Sequence, residues 1–576
     1  MAGNTNFANI GDLEKDGGNN FTFSEANMKY STTTNNRGFI LPFGFPSTGK
    51  YYYEMYILGV GGTQDHVFPG VCTPETMRGQ LTSTRGGATG TYGGYVYDNY
   101  FGYAKLNGTN QTADSIGHFR SFPQKVGILV NRDDNEIKWT LNGTDFSSAY
   151  TIPSGELRPY LGSGGGSNTA SGYFNFGQDS TFGGAVSAGG NADSSGYGDF
   201  TFSVPSNYVS LSSANLPTST DIDPAETDDD IPTKQFNTVI YTGTGSTQTI
   251  STVDFQPDLV WIKQRNGTNV HELYDSSRGA TKRLQSNATN TEDTRSTELT
   301  AFATNGFTVG TSTFGGVNGS TNTYVAWCWR ANGGTTATNT SGTSNSTVQA
   351  NQAAGFSIVQ YNGSLTSTGV VTIGHGLSSA PELIMKKQVN KTGRWYVWHT
   401  GSSGANYMLE LNSANAQADK SSNGNMSLPT STVFWTNYTE GSNENTYNNV
   451  AYCWHGVEGY SKFGSYEGSG SSDDAGPFIF TGFRPRMVFV KCIDTAAEWA
   501  VYDTARDTVN EMGNCLEWDL NATEKTHASN LTTDAMMFFS NGFKPTGGGG
   551  GRTNQTGQTY VYGAWGDVPH KYNNAF

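Results

Sequence analysis

The sequence predicts an all-β protein built of tandem β-sandwich domains, and three observations predict it. Asp, Glu, Lys and Arg make up only 14% of the 576 residues, against roughly 25% in ordinary globular chains. Solubility therefore rests on Ser, Thr, Asn, Gln and Gly, which favour turns and strand faces over helices. Aromatic residues reach 13%, with 30 Tyr and 32 Phe, as half-buried strand surfaces require. A strand motif also occurs three times, as PDLVWIK from Pro257, PELIMKK from Pro381 and PRMVFVK from Pro485.

Each copy of that motif sits among the same neighbours. Upstream lie FNTVIYTGTGS from Phe236, FSIVQYNGSLT from Phe356 and YSKFGSYEGSG from Tyr460. Downstream lie HELYDSSRG from His271, WYVWHTGSS from Trp395 and WAVYDTARD from Trp499, then AFATNGFTVG, VFWTNYTEG and MFFSNGFKPTG. The copies close with YVAWCWR from Tyr324, NVAYCWH from Asn449 and YVYGAWG from Tyr560. Short apolar runs between Asn-Gly and Gly-rich turns predict a sandwich or jelly-roll in each copy. A period of about 100 residues exceeds that of a solenoid unit, so each copy is expected to own its core, as a bead on a string.

Composition divides the chain into a first sandwich over 1–205, an acidic linker over 206–235 and repeat 1 over 236–333. A flexible Gly/Ser/Thr/Asn linker follows over 334–354, then repeat 2 over 355–459 and repeat 3 over 460–576. Repeats 2 and 3 abut with few residues between Trp454 and Tyr460, which predicts rigid docking of that pair.

The first region reads as strands spaced by turns. GKYYYEMYILGV from Gly49 is an aromatic strand, and KVGILVNRDDNEIKWTLNGTDF from Lys125 is a hairpin turning at NRDDNE. LRPYLGSGGG and SGYFNFGQ continue the series. Over about residues 20–185, GKYYYEMYI, the hairpin and YFNFGQ resemble a SPRY-type domain of concanavalin-like sandwich fold, a family that implies ligand recognition. The peptide-binding loop signatures of its eukaryotic members are not legible here, so the ligand is unknown. The repeats resemble a module of tail or structural proteins of marine bacteriophages, clearest over 236–333. A SPRY-like head joined to such repeats is similar to phage fibre-like proteins.

Chemistry leaves few marks. GFPSTGK at Gly44–Lys50 satisfies GxxxxGK, but Tyr51 stands where a phosphate-binding loop needs Ser or Thr. An aromatic strand follows where a helix N-terminus should receive phosphate, so a turn entering a strand is expected. Neither GxSxG nor HExxH occurs, and a glycosidase carboxylate pair cannot be read from sequence. The acidic run Asp221, Asp223, Glu226, Asp228, Asp229 and Asp230 lacks EF-hand spacing and contains Pro224, and reads as a solvated linker.

Cys72, Cys328, Cys453, Cys492 and Cys515 form no CxxC pair and are expected as buried thiols. No catalytic, cofactor-binding or metal-binding residue is assigned. Asp275 and Arg278 recur as Asp503 and Arg506 but give way to His399 and Ser402 in repeat 2, as a turn brace would. Trp329, Trp454 and Trp565 persist in all three copies, as core residues or, alternatively, a sugar-stacking platform.

A net charge of −15 without a basic cluster argues against nucleic acid and anionic lipid as partners. No apolar run is long enough for membrane insertion, and MAGNTNFANI lacks the marks of a signal peptide. From the resemblance follows a non-enzymatic virion structural protein, a tail fibre or tail-tip protein that binds the host cell surface. A capsid decoration or head-fibre protein is the alternative, and a surface-glycan depolymerase is the third reading. The expected partners are other virion proteins and a bacterial surface glycan or protein receptor, with a homo-oligomer, trimeric by analogy. The expected place is the virion surface, after assembly in the host cytoplasm.

Overall fold

Runs of aromatic and β-branched side chains between Gly- and Asn-bearing turns make this a chain of strands. The computed structural model describes residues 14–15, 21–24, 28–32, 37–61, 66–74, 94–111, 119, 121–145, 147–164, 169–220, 222–312, 316–438, 443–470, 476–526, 534–546 and 551–572. The opening MAGNTNFANI and Asp221 lie outside them. The described elements are β-strands in several separate sheets, joined by turns and short 3-10 segments. The all-β, sandwich-based class expected from composition is what the chain adopts. Two compact units divide it. One holds residues 1–217, 478–482 and 570–576, and the other residues 218–477 and 483–569.

The first unit is a two-sheet sandwich, one sheet centred on strand Lys50–Gly61 and the other on strand Arg158–Gly164. Lys50–Gly61 pairs with Gln124–Asn131 on one side and Thr169–Asn175 on the other. Its odd-numbered side chains Tyr51, Tyr53, Met55 and Ile57 are all but fully buried. The predicted hairpin forms with Val126 opposite Leu141 and Asn131 opposite Glu136. Asn135 turns the chain at φ 53°, a left-handed conformation that Asn tolerates. Arg132 holds the turn by donating to the carbonyls of Pro46, Pro153, Ser154 and Gly155.

The even face of Lys50–Gly61 is buried too. Glu54, 1% exposed, accepts from the Thr201 and Phe202 amides, at 2.9 and 3.0 Å, and from the Tyr52 hydroxyl. Burial pushes its carboxyl up, and these donors oppose that. Phe200 packs on Tyr52 beside it. The sandwich thus extends past the expected end at residue 205, because the segment up to Pro217 covers a sheet face that would otherwise lie bare.

In the second unit each repeat forms a main sheet of one strand order. In repeat 1 the order is Phe236–Thr242, Thr323–Trp329, Leu259–Gln264, Glu272–Asp275. Repeat 2 has Phe356–Asn362, Asn448–Trp454, Leu383–Gln388, Tyr396–His399, and repeat 3 has Ser461–Glu467, Thr559–Pro569, Phe483–Cys492, Ala500–Asp503. A smaller sheet packs on one face of each of the first two, with cores around Val260, Ile262 and Phe307 in repeat 1 and Ile384, Ala451 and Phe434 in repeat 2.

The other face corrects the expectation of three separate beads. One continuous core takes in Leu259, Trp261, Trp327 and Trp329 from repeat 1, Met385, Tyr452 and Trp454 from repeat 2, and Phe489, Val561 and Trp565 from repeat 3. Trp329, Trp454 and Trp565 meet pairwise, with ring centroids 5.5 to 6.1 Å apart and T-shaped. None is more than 2% exposed, so these rings are core and offer no platform to a sugar. The physical reason for the shared core is that each main sheet is apolar on both faces, and one smaller sheet can cover only one of them.

Both linkers are corrected as well. Within 334–354, Ala337–Asn339 and Ser346–Asn351 pair with each other, and the latter with Phe356–Asn362, extending the main sheet of repeat 2. Val348 joins the core of that repeat, and Thr and Ser tolerate the edge of a sheet. The run begins at a turn fixed by Asp258, whose carboxylate accepts from the Ala331, Gly333 and Gly334 amides. In the acidic linker Ile222 is fully buried in the shared core, and Asp229 faces Arg330 at 3.8 Å.

Candidate functional site

Three closed rings of hydrogen bonds hold the repeats of the second unit together, and they absorb most of the polar residues that recur. In the first, the last residue of each fourth strand reaches the second strand of the next repeat. Asp275 accepts from the Tyr452 hydroxyl at 2.7 Å, His399 Nε2 donates to the Tyr562 carbonyl at 3.0 Å, and Asp503 accepts from Trp327 Nε1 at 3.0 Å. In the second, the residue entering that strand donates backwards. His271 Nε2 reaches the Glu517 carbonyl, Trp395 Nε1 that of Gln285 and Trp499 Nε1 that of Glu410. In the third, the amides of Glu292, Gln417 and Glu524 donate to the carbonyls of Val389, Ile493 and Arg265.

The recurring Asp-x-x-Arg pair is therefore more than a turn brace. Arg278 meets Asp275 at 2.5 Å and Glu292 at 3.0 Å, and Arg506 meets Asp503 at 2.6 Å and Glu524 at 3.1 Å. The same carboxylates receive the neighbouring repeat. His399 does their work without charge. Its Nδ1 accepts from the Gly401 amide at 2.9 Å, which leaves the proton on Nε2 for Tyr562.

Lys263, Lys387 and Lys491 recur at one position of the third strand, each at most 1% exposed. Each ammonium donates to the carbonyl of its next residue at 2.6 or 2.7 Å and to a loop carbonyl. Burial pushes all three down to about 8. They hold loops.

In the first unit a polar cluster lies beneath an aromatic rim. Strand His66–Cys72 begins with His66, strand Tyr95–Asp98 ends with Asp98, and strand Tyr103–Leu106 carries Lys105, three neighbours in one sheet. Asp98 meets His66 Nδ1 at 2.9 Å and Lys105 Nζ at 3.0 Å. Burial alone would raise the Asp98 carboxyl, but the hydrogen bond from His66 and the Lys105 charge hold it below its usual value. The His66 ring is flanked by Phe68, Tyr100 and Phe101 at 5.8, 4.6 and 5.1 Å. Phe101 stands 39% exposed and stacks on Tyr103. His66 Nε2 is buried with no hydrogen-bond partner among the described residues.

An Asp–His pair with a free Nε2 resembles half of a nucleophile-activating triad, yet among the described residues no hydroxyl or thiol meets that nitrogen. The geometry suits binding. An exposed aromatic ring over a buried donor or acceptor gives a ligand both stacking area and a fixed polar contact. Sequence reading missed this cluster because its members lie in three strands, with no local spacing to join them.

The other sequence motifs resolve simply. Gly49, at φ 92°, turns the chain into strand Lys50–Gly61, and its amide donates to Asp133 at 2.7 Å. The GxxxxGK segment thus meets a carboxylate where a phosphate would need donors. All five cysteines are buried thiols, and burial pushes Cys515 up to about 11. Among the described residues no three His, Cys, Asp or Glu side chains gather as metal ligands.

Comparison with known proteins adds two matches by family. The model described as Domain of unknown function (DUF7483) matches residues 231–569, more than half of the chain. The chain belongs to the DUF7483 family. One family model spans all three repeats, as expected where the repeats close a single ring. Ahead of the DUF7483 region, a SPRY domain model matches residues 50–179, which include His66, Asp98 and Lys105.

Three solved structures are similar to part of the chain. The SPRY domain of human HERC1 is 15% identical, with 27% of this chain and 92% of that chain covered and a TM-score of 0.22. The Emp47p carbohydrate recognition domain is 13% identical, covering 30% and 94%, with a TM-score of 0.20. A lectin from Bauhinia forficata in complex with GalNAc is 9% identical, covering 29% and 93%, with a TM-score of 0.21. No curated protein matches the chain.

Proposed function

We propose that this protein is a non-enzymatic bacteriophage virion component, a tail fibre or tail-tip protein that binds the host cell surface through its SPRY unit. The observation that carries this reading is the aromatic-rimmed cluster of His66, Asp98 and Lys105 under exposed Phe101. It offers a ligand an aromatic stacking face beside a buried polar contact. Supporting it, the recurring polar residues of the DUF7483 region are committed to closing the ring, which makes that region a stiff platform. The resemblance of the repeats to phage structural proteins supplies the setting. The partners in this reading are other virion proteins and a surface glycan or protein receptor.

The test is twofold. Gold-labelled antibody against the protein should mark the tail of purified particles, and label on capsid faces or vertices would move the protein to the head. The purified full chain should bind host cells, with Phe101→Ala weakening binding by about tenfold, as loss of an exposed aromatic anchor does. Unchanged cell binding by that variant would remove the SPRY unit from adhesion. The homo-oligomer in this reading, a trimer by analogy, is checked by light scattering, which separates 61.8 kDa from three times that mass.

A further inference from the structure

Besides His399 and Gly563, the pseudo-three-fold of the DUF7483 region is broken at a further place. Two strand positions carry stacked tyrosines in repeats 1 and 3. Tyr241 lies on Tyr324 with centroids 5.1 Å apart and planes at 17°, and Tyr466 lies on Tyr560 at 5.2 Å and 14°. In repeat 2 the register places Tyr361 opposite Asn449, so an amide replaces the second ring. Asn449 is 2% exposed. Its Nδ2 donates to the Tyr447 carbonyl, while its Oδ1 is buried without a partner.

The next strand repeats the anomaly. Gln388, opposite Asn449 in the sheet, is fully buried with both amide atoms unpartnered. Its counterpart in repeat 1, Gln264, is satisfied by Asn266 and Asn269.

Asn449 lines a crevice of about 500 Å³ where repeats 1 and 2 meet, walled by the added strands Ala337–Asn339 and Ser346–Asn351. Gln360, Asn345, Asn362 and Asn448 also line it. The two charged residues at its edge are already matched, since Glu292 lies 3.0 Å from Arg278 and 3.9 Å from Lys282. With Arg278 buried on Asp275, no free cation stands among the described residues that line it. An apolar ligand would strip water from five amides and return no hydrogen bonds. Carboxamides each carry two donors and an acceptor oxygen, which matches hydroxyls that donate and accept. The volume falls in the range of small-molecule sites.

We propose that this crevice binds a neutral saccharide, held by the exposed carboxamides of Asn345, Asn362 and Asn448 in the space that the missing ring at Asn449 leaves. The proposal deepens the adhesive reading, adding a second and separate contact with surface glycan. Saturation-transfer NMR on the full chain tests it with glucose, galactose, mannose, N-acetylglucosamine, N-acetylgalactosamine and their disaccharides. At least one of these sugars should receive transfer, and Asn449→Tyr, which restores the ring of repeats 1 and 3, should weaken binding tenfold or more.

Should Asn449→Tyr fail to fold, as judged by its melting curve, the exposed pair Asn362→Ala with Asn448→Ala should weaken binding at least fivefold. No transfer to any sugar, or equal binding by the folded variants, overturns the proposal. Cell binding that persists in the absence of sugar transfer overturns the crevice alone. Sugar binding by a chain that attaches to no cell supports the crevice and overturns adhesion.

Discussion

The junctions between repeats 3 and 1 and between repeats 2 and 3 close the same ring by opposite means. At the first, Asp503 takes the Trp327 indole N–H while paired with Arg506, and both charged side chains are fully buried. At the second, neutral His399 donates to the Tyr562 backbone beside Gly563. The difference teaches that the ring requires a hydrogen bond at this position, while charge is optional. Charge brings its own obligation, because a buried ion must keep its partner.

The largest expected effect follows directly. Asp503→Ala strands the Arg506 guanidinium with Glu524 as its remaining carboxylate and should cost about 3–5 kcal/mol. His399→Ala forfeits a hydrogen bond to the backbone and leaves a small cavity, at about 1–3 kcal/mol. Urea denaturation of the two variants checks this, and equal losses would mean that the junctions do not differ as described.

Acid should separate the junctions further. Burial pushes His399 down to about 4, against the opposing hydrogen bond to Tyr562, while an unfolded histidine titrates near 6.5. Below that value the unfolded chain takes up the proton first. Stability from neutral His399 is therefore complete above about pH 6.5 and is lost as pH falls towards 4, by about 3 kcal/mol. Asp519, pushed up to about 6 by burial, works the other way and gains stability in acid. Comparing the pH dependence of melting between the wild-type chain and His399→Gln isolates the histidine. The variant should lose less stability between pH 6.5 and 4, and parallel curves would refute a neutral imidazole at this junction.

Much of this was legible before the structure. NRDDNE named its hairpin because a turn residue tolerant of positive φ sat between two apolar runs. The repeats were visible, yet the separate beads were a misreading of VWIK and YVAWCW. Alternation is the mark of a strand with one wet face, whereas Leu259 to Gln264 is buried at every position, as in strands covered on both sides. Those runs announced a second apolar face in need of a partner.

The linker strands were hidden because Thr, Ser and Asn serve a flexible chain and a sheet edge equally well. Asn449 stood in plain view, opening NVAYCWH where the other copies open with Tyr. Only a core that places tyrosine on tyrosine gives that exchange a meaning. The His66 cluster joins residues from three strands, so no periodicity could reveal it.

Gly563 gives the smallest effect and the sharpest test of why repeat 2 uses histidine. Trp327 and Tyr452 occupy its position in repeats 1 and 2, each pointing a ring into the shared core and a donor at an aspartate. In repeat 3 the space is filled from the sides, since a Cβ on Gly563 would stand 2.4 Å from the Phe489 ring and 3.0 Å from that of Phe463. With no side chain there to donate, an aspartate at 399 would find no hydrogen across the junction, whereas an imidazole brings its own proton to the backbone carbonyl. Gly563→Ala should force the phenyl rings aside and cost about 1–3 kcal/mol, read as a lower urea midpoint at unchanged slope. His399→Asp should be no better tolerated in the alanine variant than in the wild type, because alanine supplies no donor. Rescue of one substitution by the other would show that this junction is set by volume, and that the proton carried by His399 is incidental.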